Sequence, residues 1–236
     1  GKAPKVLPPV GVDEGVVFDG DTKVNSQGYM YFPTGDTSQR GRGVGLLMGN
    51  NSSAADGMKY FSLISSGNTI LFGDLTNNAV AWGAAGGSST RGVIGGGSPV
   101  TNTMEYVTIA TTSNALDFGD LTVARRHAGV VGNNTRGCWG GGETAGAATQ
   151  TNVIDYITIA STGNATDFGD LLNTSGRGAG CSDHTRGITF IGTNPANNNI
   201  IEVVTIQTTG NSKDFGDRTF TGASHGALSN GHGGIS

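Results

Sequence analysis

The chain is poor in the residues on which several protein classes depend. Of its 236 residues, 14% are charged, 7% are aromatic and two are cysteines, Cys138 and Cys181. Two thiols so far apart form neither a disulfide framework nor a metal-ligating pair. The four histidines also lack ligand spacing and stand near no nucleophile motif. The sequence therefore predicts no catalytic residues, no metal site and no cofactor.

Positive charge and long apolar runs are also lacking. The formal net charge is -4, and the chain has no basic stripe that would follow a phosphate backbone. No apolar run approaches the about 20 residues that a membrane-spanning helix needs. We therefore expect neither a nucleic-acid partner nor membrane insertion.

What the chain has in excess is glycine, with 42 residues, accompanied by Thr, Asn and Ser. This composition disfavours helices and suits short strands joined by tight turns. Apolar residues recur at regular intervals, which a disordered tail would not show. The expected fold class is all-β.

The tripeptide FGD recurs four times, and its glycines, 46, 50 and 47 residues apart, stand at 73, 119, 169 and 216. Periods of 40 to 50 residues are typical of propeller blades, solenoids and arrays. The string STRGVIGGG at 89–97 returns in a similar form, NTRGCWGGG, at 134–142, 45 residues later. The sequence predicts an N-terminal arm over 1–40 and a repeat domain over 41–236, with repeats at about 41–74, 75–120, 121–170 and 171–217.

Each period reads as four short strands. In the third repeat they cover 127–132, 137–142, 153–160 and 165–171, and we name them A to D. The string NNTRG forms the A–B turn, and STGN forms the C–D hairpin. Four strands per period predict a propeller-like array of about four blades.

The first period is short by about one strand, since Asp36 and Tyr60 are 24 residues apart where the next repeat has 32. After the last FGD, residues 218–236 contain an unpartnered strand A at 225–229. We expect this C-terminal strand to complete the first blade, or the first blade of a neighbouring chain.

The strings RRHAGVV, CWGGG, VIDYITI and DFGD together resemble the kelch repeat, with Phe in place of the usual Trp of strand D. Kelch propellers usually have six or seven repeats, and the fourth copy here has FIGTN in place of the glycine doublet. The whole repeat is also similar to repeats of marine bacteriophage (cyanophage-like) tail-fibre and other virion structural proteins. That resemblance implies a location on the virion surface, with further copies of the chain and other virion proteins as partners.

Residues that recur once per period are expected to be structural. The Asp of FGD should cap backbone N–H groups in turns. The Arg of TRG should bind carbonyls or Asp residues between blades. With the strand-D aromatics, the set comprises Phe72, Phe118, Phe168, Phe215, Asp74, Asp120, Asp170, Asp217, Arg91, Arg136 and Arg186.

The B–C loops differ between repeats in length and chemistry, and in a propeller they share a face with the D–A loops. Variable loops on a constant frame are typical of a binding surface, although drift of unconstrained loops gives the same pattern. The candidate binding residues are Arg125, Arg126, Glu143, Thr144, Gln150, Arg177, Asn194 and Asn197.

These observations favour a non-enzymatic structural or binding module of a virus particle, such as a tail-fibre, decoration or adhesin domain. Its expected ligand is a host-surface glycan or receptor. Two alternatives stay open: a carbohydrate-active or oxidising enzyme on a kelch-like propeller, and an intracellular kelch-type scaffold for protein interactions.

Overall fold

The computed structural model describes residues 17–18, 22–24, 30–31, 43–49, 57–63, 65–76, 81–144, 149–194 and 196–229. The chain divides between Gly43 and Val44 into two compact units. Within the first unit, which includes the predicted arm, lies an antiparallel sheet of three short strands: β1 (Val17–Phe18), β2 (Thr22–Val24) and β3 (Met30–Tyr31). Among the described residues there is no helix long and apolar enough to cross a bilayer.

The described residues of the second unit form four antiparallel sheets. Sheet I has three strands, β4 (Val44–Leu47), β5 (Gly57–Ser62) and β6 (Ile70–Asp74). Sheet II has β7 (Ala84–Gly87), β8 (Arg91–Gly95), β9 (Thr101–Thr108) and β10 (Leu116–Arg125). Sheet III has β11 (Gly129–Gly132), β12 (Arg136–Gly140), β13 (Val153–Thr158) and β14 (Thr166–Asp170).

Sheet IV has β15 (Ala179–Ser182), β16 (Arg186–Phe190), β18 (Ala196–Thr205) and β19 (Lys213–Gly222), and a short β17 (Thr193–Asn194) pairs with β18. The all-β prediction is confirmed, and one antiparallel sheet per repeat is consistent with a propeller-like arrangement. In sheets II to IV the strands correspond in order to the predicted A to D. Within the part of the chain that the structure describes, sheet I consists of the B, C and D strands.

Strand β13 shows why the sheets stack. Ile154, Asp155 and Ile157 are all buried, although successive residues of a strand point to opposite faces. Ile154 belongs to an apolar cluster shared with sheet IV, whereas Ile157 belongs to one shared with sheet II. A strand buried on both faces lies inside a stack of sheets.

An apolar core fills each of the three gaps between neighbouring sheets. Each core contains the strand-D Phe of one sheet and aliphatic side chains of the next, as where Phe118 packs with Ile157 and Ile159. In each case a strand-C tyrosine meets the Phe edge to face, with ring centroids about 6 Å apart. The buried Phe side chains are Phe72, Phe118 and Phe168.

The FGD tripeptide of each of the first three sheets contacts the C–D turn of the next sheet. Gly119 has a φ of +134°, and a Cβ there would lie 2.5 Å from the carbonyl carbon of Gly163. Around it, the Asp120 N–H donates to Asn164 Oδ1 at 3.1 Å, and the Gly163 N–H donates to the Phe118 carbonyl at 2.7 Å. Only glycine permits this approach of two backbones.

The turn cap, however, comes from a different aspartate than predicted. Asp117, two residues before Gly119, accepts the N–H of that glycine at 3.1 Å, and Asp167 and Asp214 do the same in sheets III and IV. Asp120 and Asp170 act through their main chains, which bond to the next sheet.

The C-terminal part departs from the expected closing strand. Residues 218–222 belong to β19, because β18 is long enough to pair with it as far as Asn198 and Gly222. The predicted closing segment 218–236 therefore begins within sheet IV, and its predicted strand A at 225–229 is wrong. Residues 223–229 form no strand, and the Ser229 hydroxyl donates to the Ser182 carbonyl of β15 at 2.6 Å. Residues 230–236 lie outside the described part of the chain.

Candidate functional site

The loops that precede each strand A and those that follow each strand B meet at one end of the sheets. In sheet III, Arg126 and Glu143 exchange two backbone hydrogen bonds, at 3.0 and 2.8 Å. In sheet IV, Gly176 and Thr193 form the same bridge. The two kinds of loop therefore form a common surface above the sheets.

The carboxylate of Glu143 lies at the centre of this surface and is almost completely buried. Arg126 Nε donates to Glu143 Oε2 at 3.0 Å, and Arg177 Nε donates to Oε1 at 2.8 Å. His127 Nδ1 lies 3.2 Å from Oε2. Since Arg126 and Arg177 precede strands of sheets III and IV, Glu143 joins the loops of two sheets.

Trp82 completes the group. Its ring lies 4.9 Å from the His127 ring, and the Arg126 guanidinium lies over it at 4.8 Å from the centroid. Trp82 is 45% exposed and the Arg177 side chain 39%. We call these five residues, Trp82, Arg126, His127, Glu143 and Arg177, the mouth cluster.

The backbone of the mouth cluster adopts a rare conformation at repeat-equivalent positions. Trp82, His127 and Arg177 have φ values of 59°, 55° and 55°, and Ser224 follows with 56°. The His127 N–H donates to the Trp82 carbonyl at 2.9 Å, and the Ser224 N–H donates to the Arg177 carbonyl at 3.0 Å. Left-handed residues with side chains are costly and concentrate at functional sites.

Two opposed influences set the pKa of Glu143. Burial alone raises it, but hydrogen bonds from His127, Arg126 and Arg177 outweigh burial and leave the pKa below the usual glutamate value of 4.5. Two guanidinium groups against one carboxylate leave one positive charge on the mouth cluster. The arrangement therefore suits a ligand that offers hydrogen-bond acceptors to Arg177 and a flat surface to Trp82.

Replacing Glu143 by the isosteric Gln should destabilise the fold by about 1.5–3 kcal/mol at neutral pH, since two guanidinium groups lose their anionic partner. A carboxylate with a lowered folded-state pKa stabilises the fold above its unfolded-state pKa, and this stabilisation is lost as the pH falls through the folded-state value. The difference in unfolding free energy between wild type and Glu143→Gln should therefore shrink below about pH 4.5. Urea unfolding at several pH values measures it, and a constant difference would contradict the assignment.

Of the other candidate binding residues, Arg125 is not accessible. Its side chain is completely buried, and its Nη2 lies 2.6 Å from Asp155 Oδ2. Its Nη1 donates to the carbonyls of Gly141 and Val153 at 2.9 and 2.7 Å. Arg125 therefore belongs to the frame, and its assignment to the binding surface is wrong.

The remaining candidates lie in the two B–C loops. The Thr144 N–H donates to the Thr149 carbonyl at 2.9 Å, and Gln150 forms a bridge with Glu143. In sheet IV, Asn194 Oδ1 accepts from the Thr174 hydroxyl at 2.9 Å, and Asn197 is exposed on β18. Glu143, also predicted as a loop contact, is instead buried and holds the two arginines in place.

The recurring arginines lie at the opposite end of the strands. Arg91 donates to the Ile159 carbonyl at 2.8 Å and stacks on Tyr106 within its own sheet. Arg136 repeats both contacts one sheet further on. Arg186, in sheet IV, is 58% exposed and has Asp183 at 3.5 Å as its ion-pair partner.

A cavity of about 240 Å³ lies among β7, β11 and β15, the A strands of sheets II, III and IV. Its walls include small residues such as Gly86, Val130 and Gly180, and residues 227–229 contribute to it.

Burial raises the pKa of the Cys138 thiol to about 12. Within the described ranges, no three His, Cys, Asp or Glu side chains are grouped so that they could hold a metal ion.

Comparison with known proteins finds similarity in fold. No protein-family model and no curated protein matches the sequence. A solved structure described as "Structure of YjhT" superposes with a TM-score of 0.67 at 8% identity, covering 80% of this chain and 68% of that one. At this identity the similarity concerns the all-β architecture alone.

Sequence reasoning missed Trp82 and His127 as site residues. Both precede a strand A, and the repeat alignment places them with Arg177 and Ser224. The four side chains differ while the backbone conformation is the same, so residue identity carried no signal. The distance from the FGD glycine, which is eight residues for His127, Arg177 and Ser224 and nine for Trp82, is the feature that would have found them.

Proposed function

We propose that this chain is a non-enzymatic structural and binding module of a virus particle, in the manner of a tail-fibre, decoration or adhesin domain. The resemblance of its repeats to those of phage virion proteins supports the virion location. The observation that carries the binding role is the mouth cluster, which presents Trp82 and Arg177 to solvent above the fully buried Glu143.

The mouth cluster supports recognition of a host-surface glycan. Tryptophan offers a flat apolar face to a sugar ring, and a guanidinium offers several donors to hydroxyl or carboxylate oxygens. Arg177 is held by Glu143 and Trp82 by Arg126 and His127, so little side-chain entropy is lost on binding.

The test is binding of the full chain to a glycan array. Trp82→Ala and Arg177→Ala should each weaken binding at least about tenfold, since exposed Trp and Arg dominate binding energy. Arg186→Ala is the matched control, because Arg186 is an exposed arginine at the other end of the strands, and it should leave binding unchanged.

Three outcomes would count against the proposal. Product formation from a bound glycan would indicate the enzyme alternative. Array binding that Trp82→Ala and Arg177→Ala leave intact would remove the mouth cluster from the site, and binding of a folded intracellular protein alone would indicate a scaffold.

A further inference from the structure

We propose that sheet I of a second copy of this chain packs on the exposed face of sheet IV of the first copy. In this arrangement the C-terminal segment 225–229 of the first copy takes the position of strand A in the sheet I that packs on it. Neighbouring sheets of the chain contact each other through the same kind of interface three times. Sheet IV exposes one side of this interface and sheet I exposes the other. The proposal is independent of the mouth cluster and of its ligand.

The three internal interfaces are built alike. In each, the Asp of FGD donates its N–H to an Asn side chain of the next C–D turn, at 3.0 to 3.1 Å. The FGD glycine is in close contact with the same turn: Gly73 contacts Ser113, Gly119 contacts Gly163 and Gly169 contacts Gly210. The strand-D Phe is buried against the next sheet.

Sheet IV presents the first half of this interface without a partner sheet. Phe215 is 53% exposed, whereas its three equivalents are buried. A Cβ on Gly216 would meet no described atom within 4 Å. Ile188 and Ile201 are half-buried, although their equivalents in sheet III, Cys138 and Ile154, are buried.

Sheet I presents the second half. Leu63 is 63% exposed, while its equivalents Ile159 and Ile206 are buried against the preceding sheet. Leu47 is 53% exposed, where the equivalent Trp139 is completely buried. A terminal repeat that only caps a stack normally has a polar outer face. Exposure of both apolar halves shows that sheets I and IV of one chain do not cover each other.

The C-terminal segment 225–229 already lies where strand A of a fifth sheet would lie. The Ser229 hydroxyl donates to the Ser182 carbonyl at 2.6 Å, as the Ser182 hydroxyl donates to the Gly132 carbonyl at 2.7 Å one repeat earlier. Among the described residues, sheet I has no such strand, and β4 is its edge there. An unpaired edge accepts a strand from another chain.

One position departs from the repeat and sets the strength of the contact. The internal sheets bury a strand-C carboxylate against the preceding sheet, as where Glu202 accepts the Leu172 N–H, and sheet I has Lys59 at this position. The contact between copies therefore lacks these hydrogen bonds, and we expect reversible association. Because the two halves differ, the contact is head to tail and builds rings or linear chains.

Sedimentation of the full chain over a wide concentration range tests this contact. The wild type should show a mass above the monomer that rises with concentration. Phe215→Asp and Leu63→Asp, each on an exposed side chain, should each raise the dissociation constant at least about tenfold, because a carboxylate would be buried against an apolar face. Leu116→Asp is the control, since Leu116 is equally exposed on sheet II, and it should associate as the wild type does.

Mixing the two variants gives the decisive result. Phe215→Asp retains an intact sheet I and Leu63→Asp an intact sheet IV, so an equimolar mixture should form a 1:1 dimer and no larger species. Recovery of the dimer also shows that both variants are folded. A monomeric wild type at all concentrations, a mixture that stays monomeric, or equal dissociation by Leu116→Asp would overturn the proposal.

Discussion

Phe168→Ala should lower the free energy of unfolding by about 3–5 kcal/mol, whereas Phe215→Ala should lower it by less than about 1 kcal/mol. The two residues occupy the same position of the repeat and differ in their surroundings. Phe168 is buried between sheets III and IV in a cluster with Val204 and Ile206. Phe215 lies on the last sheet and is 53% exposed. Truncating Phe168 leaves a cavity, and truncating Phe215 removes a ring that is already half in water.

Urea unfolding of dilute protein, monitored by circular dichroism, measures both values. Dilution matters because association through the exposed face of sheet IV would add stability to the wild type and not to Phe215→Ala. Similar losses for the two variants would show that Phe215 is covered in solution. Losses below about 1 kcal/mol for both would show that the gaps between sheets are not the core.

The repeat period made the stack of sheets predictable, but it did not predict that the outer faces of the first and last sheets are exposed. The recurrence of FGD every 46 to 50 residues gave four equivalent positions for Phe, and it contains no information on whether another sheet follows the last one. The sequence did carry one signal, since Arg218 follows the fourth FGD where Leu75, Leu121 and Leu171 follow the others. These three leucines are buried in the gaps between sheets.

The sequence predicted which loops form the candidate site, but not which residues of those loops belong to it. Arg125 and Arg126 are neighbours in the sequence, yet Arg125, the last residue of β10, is buried against sheet III and Arg126 joins the mouth cluster. Successive residues at a strand end point in opposite directions, so composition alone does not separate them. The role of Glu143 depends on Arg177, which is distant in sequence and belongs to the next sheet.

Asp155→Asn should cost about 3–5 kcal/mol of stability, because it leaves the buried Arg125 guanidinium without its counter-ion. Burial already lowers the pKa of Arg125, and the Asp155 charge offsets part of this effect. Asp155 also accepts the N–H and the hydroxyl of Thr122, so the carboxylate joins sheet III to sheet II. Because the Asp155 carboxylate joins two sheets, its loss is expected to accelerate unfolding of the whole stack.

Glu202→Gln is the matched control for the ion pair. Glu202 is the equivalent buried carboxylate of sheet IV, and it accepts from the Leu172 and Asn173 N–H groups and the Ser212 hydroxyl. It forms no ion pair with any residue that the structure describes. Its loss should cost about 1–3 kcal/mol, the range for unsatisfied buried groups. Adding Arg125→Met to Asp155→Asn should recover part of the stability, since no buried charge then stays unpaired. Equal losses for Asp155→Asn and Glu202→Gln, with no recovery in the double variant, would show that the carboxylates act through their backbone partners and that Arg125 contributes only its packing.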